Sequence, residues 1–164
     1  MISAFIEYRD DPEGLARTLA SLVPAAVEGV VKDAFVFARE RNGDVETVAE
    51  VSGAILLAGQ PPSEAGRRGR GEWLLLLEAG ATLEDGWTAA ARSWGGTRDA
   101  PARFRRAKGS SFARVWPRGR PLASGLLIRR DRFRSAAASS DTLGAVASGR
   151  AAGWLDARIV PARP

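Results

Sequence analysis

Glu72-Trp73-Leu74-Leu75-Leu76-Leu77-Glu78-Ala79-Gly80 is the stretch on which the fold turns. Four consecutive leucines, preceded by a tryptophan and followed by a carboxylate and a glycine, suit a strand buried on both faces. Uninterrupted apolar runs of this kind are expected where helices cover both sides of a mostly parallel sheet. A buried helical segment is the competing reading of so short a run. The turn-rich residues 67–71 before it and Gly80 after it favour the strand. In open α/β sheets the ligand crevice lies beyond the carboxyl ends of the strands, which puts Glu78 at the rim of a site.

Working outward, Ile2-Ser3-Ala4-Phe5-Ile6, Ala34-Phe35-Val36-Phe37-Ala38 and Ala54-Ile55-Leu56-Leu57 are further β-prone runs. A helix is expected between the first two. Asp10 or Asp11 before Pro12 supplies its start, and Leu15, Leu19, Leu22 and Val23 its apolar stripe, with Pro24 stopping or bending it. Asp44 can cap a short helix over residues 45–51. Strand, helix, strand, helix, strand is the signature of parallel βαβ units with right-handed crossovers. The expected spatial order of the first four strands is third, second, first, fourth. Residues 82–85 should open a helix running to about Trp94, ended by Trp94-Gly95-Gly96-Thr97. Residues 103–108 suit an edge strand, and strands near 112–116 and 122–128 should extend the sheet on the leucine-strand side, at least one antiparallel. A last helix over 141–148 and a short extended tail at Ile159-Val160 complete the expectation of one α/β domain over residues 1–164.

The composition excludes whole classes of chemistry. With no cysteine and no histidine, the chain has no disulfides, no Cys/His zinc site and no Ser-His or Cys-His dyad. Carboxylates, arginines, hydroxyls and backbone groups remain, with a hard cation such as Mg2+ or Mn2+ on oxygen ligands. No basic-then-apolar leader opens the chain, and no run approaches the roughly 20 apolar residues that span a bilayer, so a cytoplasmic location is expected. Charge is lopsided: residues 1–97 carry 9 basic and 15 acidic side chains, and residues 98–164 carry 15 and 4. Such asymmetry suggests a basic face turned to something anionic, and an arginine-rich, high-GC coding bias accounts for it equally well. Placed beside the crevice mouth, that face would meet a phospholipid-linked acceptor or an anionic membrane. No zinc finger, basic helix or aromatic-basic pattern points to specific nucleic-acid binding.

Taken in order, these segments resemble the inverting family 2 glycosyltransferases of the GT-A fold. The likeness runs through Pro12-Glu13-Gly14-Leu15-Ala16-Arg17-Thr18-Leu19, the loop Phe37-Ala38-Arg39-Glu40-Arg41-Asn42-Gly43-Asp44, the Arg/Gly-rich residues 65–73, Glu78-Ala79-Gly80, the helix opening Leu83-Glu84-Asp85-Gly86-Trp87 and Gly125-Leu126-Leu127-Ile128-Arg129-Arg130-Asp131-Arg132-Phe133. It implies one GT-A-like, Rossmann-like domain, a nucleotide diphosphate-sugar donor and a divalent metal on a DXD-type motif at Glu78-Ala79-Gly80. Glu78 is then the metal and sugar-side contact. Glu7 and Glu40 are candidates on the nucleotide side, and Arg67 and Arg68 for the diphosphate. Arg67, Arg68 and Arg70 suit a solvated loop as well as phosphate oxygens. Asp141 is the nearest match to the family's general base, and it equally suits the N-cap of the last helix.

The chain also departs from the family. Gly80 replaces the second carboxylate of the metal motif, Ala38 and Arg39 stand where paired aspartates receive the nucleotide, and Glu7 lies where small or proline residues are usual. Glu78 alone is a poor ligand set for Mg2+ or Mn2+, so no tightly bound cofactor is expected, and any metal would arrive with a nucleotide diphosphate-sugar. Two readings follow. In the first, the chain is a pseudoenzyme with a binding or regulatory role, toward a protein partner, in cell-surface polysaccharide or glycolipid synthesis. In the second, it is an active inverting transferase acting on a lipid- or polysaccharide-linked acceptor at the inner face of the membrane.

Overall fold

The computed structural model describes residues 1–108 and 119–163. The leucine run is a strand, β4 (Trp73–Glu78), with all six residues buried. Its alternation explains the sequence: Leu75 and Leu77 enter one core layer, Leu74 and Leu76 the other. Parallel to β4 lies β1 (Ile2–Glu7), then β2 (Val31–Ala38) and β3 (Ile55–Ala58), also parallel. The order β3-β2-β1-β4 is the one the βαβ pattern predicts, and the leucine strand is central. On its other side follow β7 (Leu126–Arg129), β6 (Ala102–Arg106), β8 (Gly153–Val160) and the two-residue β5 (Thr82–Leu83). β7 is antiparallel to β4, as expected of a strand near 122–128. The strand expected near 112–116 lies outside the described residues.

Helices cover both faces. On one face α1 (Pro12–Val27), α2 (Gly43–Val51) and α4 (Trp87–Thr97) bury Leu15, Leu19, Leu22, Val45, Trp87 and Trp94. On the other, α3 (Pro62–Arg68), α5 (Arg130–Ala137) and α6 (Leu143–Ala147) close over Phe5, Phe35, Leu74 and Leu76 with Ala65, Phe133, Leu143 and Val146.

Several boundaries differ from expectation, each for a physical reason. α1 runs past Pro24 because Leu22 and Ala25, on either side of it, are both buried, and that packing offsets one missing backbone hydrogen bond. α2 is capped by Asn42, whose side-chain oxygen accepts from Val45 N at 2.9 Å, and Asp44 lies inside the first turn. Residues 62–68 form α3, not a loop, because Ala65 and Gly66 pack against α5. Thr82 and Leu83 pair with Val160 and Ile159, so the following helix starts only at Trp87 and takes in Gly95 and Gly96. The expected tail is an eight-residue strand, β8, lying parallel to β6, which is therefore interior and not an edge. α5 (Arg130–Ala137) follows β7 directly, where no helix was expected.

Candidate functional site

The carboxyl ends of β1, β2 and β3 open into a cleft of about 1070 Å³. β1 contributes Glu7, Tyr8, Arg9 and Asp10, β2 runs out through Phe37 to Asn42, β3 ends at Gly59 to Pro61, and Asp141, Thr142 and Leu143 close the far wall. The parallel register sets this: Glu7 stands opposite Phe37 on one side and Glu78 on the other. Asp10 holds a positive φ of 51°, a conformation that an aspartate tolerates better than most residues. Burial pushes the Tyr8 phenol above its ordinary value, with a hydrogen bond to Asn42 acting in the opposite direction. The phenol therefore stays protonated at neutral pH.

Of the residues the sequence singled out, the fold brings Glu7, Glu40 and Asp141 together on this cleft. Glu7 Oε2 accepts from Gly144 N at 2.8 Å, tying β1 to the start of α6. Asp141 does not cap α6: Thr142 does, its side chain accepting from Ala145 N at 3.0 Å, and Asp141 is left exposed on the cleft wall. Glu78 lies one strand over from Glu7, with a side chain only 7% exposed. Arg67 and Arg68 are not brought to the cleft. They end α3, at the end of the sheet where β4 begins; Arg67 is exposed and paired with Glu64, and the Arg68 guanidinium lies 5.9 Å from the Phe35 ring centre. Arg70, beside them, donates to Asp33 and to the Lys32 carbonyl.

The sequence did not point to Arg9, which lines the cleft and donates from Nη2 to Glu7 Oε1 at 3.1 Å. Nor did it point to Arg120, which grips Glu78 side-on, Nη2 to Oε2 at 2.7 Å and Nε to Oε1 at 3.3 Å. Arg9 could have been found from its place two residues beyond the last residue of β1. Arg120 carried no local signal, because its partner is 42 residues away.

A divalent cation does not fit this donor set. Mg2+ requires near-octahedral oxygen ligation, and among the described residues no group of three or more Asp, Glu, His or Cys side chains converges to supply it. Glu78 is already neutralised by a guanidinium. A carboxylate at the second motif position would be strained: Gly80 has φ 96°, and a Cβ there would come 3.1 Å from the Cβ of Ala162. Thr18 fixes that turn, its hydroxyl accepting from Gly80 N at 2.9 Å and donating to the Ala81 carbonyl at 2.7 Å.

Among the described residues, no arginine or lysine of the basic half lines the cleft, whose own arginines are Arg9, Arg39 and Arg41. Arg103 is half-buried in the fold, where desolvation pushes its guanidinium below the ordinary value, and it donates to the carbonyls of Pro121, Gly125 and Ala147. Arg129, Arg130 and Arg134 lie with Arg70, Glu72 and Asp131 around a shallow depression of about 600 Å³. Because β7 is antiparallel to β4, Arg129 stands opposite Trp73, at the end of the sheet away from Glu78. No helix among the described residues is long and apolar enough to cross a membrane.

No protein-family model matches the chain, and no curated protein matches it by sequence. Solved structures do match it in shape. Mannosyltransferase PcManGT from Pyrobaculum calidifontis, in complex with GDP-Man and Mn2+, superposes with a TM-score of 0.70 at 14% identity, over 99% of this chain and 57% of that one. Residues 1–349 of S. aureus TarS give 0.69 at 10% identity, over 98% and 60%. Glucosyl-3-phosphoglycerate synthase from Mycobacterium tuberculosis, in complex with Mn2+, UDP and glucosyl-3-phosphoglycerate, gives 0.55 at 16% identity, over 81% and 58%. The chain spans less than two thirds of each of these structures. It therefore has the GT-A-like glycosyltransferase fold, an α/β sheet flanked by helices. At such identities the likeness defines the fold alone.

Proposed function

We propose that this chain is a degenerate member of the GT-A glycosyltransferases, nearest in pattern to family 2, whose cleft binds a nucleotide but no longer transfers sugar. It serves as a binding or regulatory component of cell-surface polysaccharide or glycolipid synthesis. One observation carries the reading: Glu78, the only carboxylate at the metal-motif position, is spent on Arg120. Residues 1–164 act as one cooperative unit, since β8 and β5 return to a single continuous sheet. Calorimetric titration with UDP and GDP, alongside a transfer assay with the labelled nucleotide-sugars and a lipid-linked acceptor, tests the function. Binding without turnover is expected. Sustained transfer would overturn the degenerate reading, and absence of binding would overturn the nucleotide one.

Asp141 favours a second reading, because it faces the cleft free of the capping role. In an active inverting transferase it would be the general base, and Asp141→Asn would lower the transfer rate by about 10²–10⁴-fold. An unchanged rate in that variant would remove Asp141 from the chemistry.

The exposed arginines at the far end of the sheet suit an anionic membrane, which would place the protein at the inner face with its cleft turned away from the lipid. Near an anionic leaflet each exposed basic side chain contributes about 1 kcal/mol, so a few suffice for peripheral binding. Cosedimentation is expected with vesicles containing anionic lipid and not with neutral ones, and high salt should abolish it. The double reversal Arg132→Glu and Arg134→Glu should weaken it. Equal recovery on both vesicle types would leave this face without the role.

A further inference from the structure

The similar mannosyltransferase structure was solved with GDP-Man and Mn2+; this chain places two guanidinium groups beside the Glu78 carboxylate at the end of β4. Four side chains form a row across the ends of β4 and β1: Arg120, Glu78, Arg9, Glu7. Arg120 holds Glu78 through two hydrogen bonds and is itself only 17% exposed. Arg9 Nη1 lies 3.9 Å from Glu78 Oε1, beyond hydrogen-bond range, while Nη2 is bonded to Glu7. Arg120 Nη2 also donates to the Ala162 carbonyl at 3.1 Å, so the chain's last described segment is drawn over the Glu78-Ala79-Gly80 turn. Ala162 is buried there and occupies the space into which a side chain at position 80 would project.

We infer that Arg9 and Arg120 replace a divalent cation, making the cleft a metal-independent site for a nucleoside diphosphate with Arg9 as the diphosphate-contacting residue. The inference rests on the nucleotide-binding reading above and deepens it. Two guanidiniums bring the charge of one divalent ion, and they bring it covalently attached. A metal added to the row would meet two positive groups, and the two carboxylates that could offset the repulsion, Glu78 and Glu7, are already hydrogen-bonded. The two arginines have different tasks. Arg9 is 54% exposed, lines the cleft and uses one hydrogen bond out of five N–H donors, so its planar fork is open to phosphate oxygens. Arg120 is a positioning residue. By satisfying Glu78 it keeps that carboxylate from capturing Arg9, whose guanidinium is already close to it.

The test titrates UDP and GDP into the full chain in excess EDTA and again in excess Mn2+. The wild-type affinity should be the same in both. Arg9→Gln, at an exposed position that keeps the fold, should weaken binding about tenfold or more under both conditions, the worth of a charge-assisted hydrogen bond. Arg120→Gln should weaken binding in EDTA and recover in Mn2+, because the released Glu78 becomes available to a metal. Arg120→Lys should restore metal independence. A purely structural role for Arg120 would lower affinity without creating that Mn2+ response. Binding that requires Mn2+ in the wild type, or an Arg9→Gln variant with wild-type affinity, overturns the inference and leaves the nucleotide reading standing. Absence of diphosphate binding under every condition overturns both. If Arg120→Gln does not fold by circular dichroism, the wild-type metal comparison and Arg9→Gln decide the question.

Discussion

Gly71→Ala is expected to lower the stability of the fold by about 3 kcal/mol, the upper end for overpacking a core. The reason is not a special backbone angle but proximity. A Cβ at position 71 would fall 2.2 Å from Ser3 N, 2.5 Å from the Ile2 carbonyl carbon and 2.8 Å from the Trp73 carbonyl oxygen. All three are backbone atoms at the start of β1 and β4, so none can rotate aside, and the two central strands would have to separate. Two ties that hold this approach would be strained with it: Gly71 N donates to Ser3 Oγ at 2.8 Å, and Arg130 Nε donates to the Gly71 carbonyl at 2.7 Å. Gly96 makes the control. It lies in the last turn of α4 with open space where a Cβ would go, so Gly96→Ala should be neutral or stabilising by a few tenths of a kcal/mol to about 1. Urea denaturation of both variants checks the contrast. A loss below about 1 kcal/mol for Gly71→Ala would mean that β1 and β4 are not held as closely as described.

Gly71 also shows where sequence reasoning succeeded and where it stopped. In the sequence, residues 65–71 are an Arg/Gly-rich loop suited to phosphate. In the structure the small residues are there for close approach, Gly66 against Phe133 and Gly71 against β1, and the arginines point to acidic and aromatic neighbours. Composition cannot separate these uses, because both need glycine and both tolerate arginine on the exposed side. β4 was legible because four leucines in a row fit only burial on two faces, and once β4 was central the order of the parallel strands followed from short βαβ connections. The strand β8 was less so. Leu155, Ala157 and Ile159 do alternate inward, but Asp156 and Arg158 between them lower the apparent hydrophobicity, and the partner strand lies some 50 residues away in the chain. In that pairing Ala102, Arg103, Arg105 and Arg106 of β6 stand opposite Gly153, Trp154, Arg158 and Ile159.

The candidate site divides along the same line. Glu7, Glu40 and Asp141 were reached through the family resemblance, and the parallel sheet, whose strand ends converge on one crevice, brings the three together on the cleft. The pairing of Glu78 with Arg120 was not legible in the sequence, because it depends on a turn near residue 120 being placed at the end of β4. Arg103 contributes to that placement by holding the Pro121 carbonyl, next in the chain to Arg120, and the Ala147 carbonyl at the end of α6. The missing carboxylate at Gly80 was visible in the sequence. Its physical complement, Ala162 packed into the same space, was not.

Phe133→Ala is expected to cost about 3–5 kcal/mol, the range for removing a fully buried aromatic ring. Phe133 is completely buried on α5, and its ring stands edge-on to Phe5 of β1, 5.2 Å between centres and 78° between planes. Apart from Phe133, α5 buries only Ala136 and Ala137, so this one side chain supplies most of the apolar surface by which the helix is held. Gly66 of α3 lies directly against the ring, and a cavity there would be lined by two helices and the central sheet. The consequence reaches the cleft. α5 leads into α6, whose Leu143 and Val146 share the Phe133 core layer and whose first turn follows Asp141 and Thr142 on the cleft wall. Loosening α5 should therefore release the Gly144 N bond to Glu7 and weaken nucleotide binding in proportion to the stability lost. Phe133→Leu, which retains most of the apolar contact, should cost about 1–2 kcal/mol and leave binding near wild type. Denaturant melts and UDP titrations of the two variants provide the check. A Phe133→Ala variant within about 1 kcal/mol of wild type would show that α5 is held by something other than this ring.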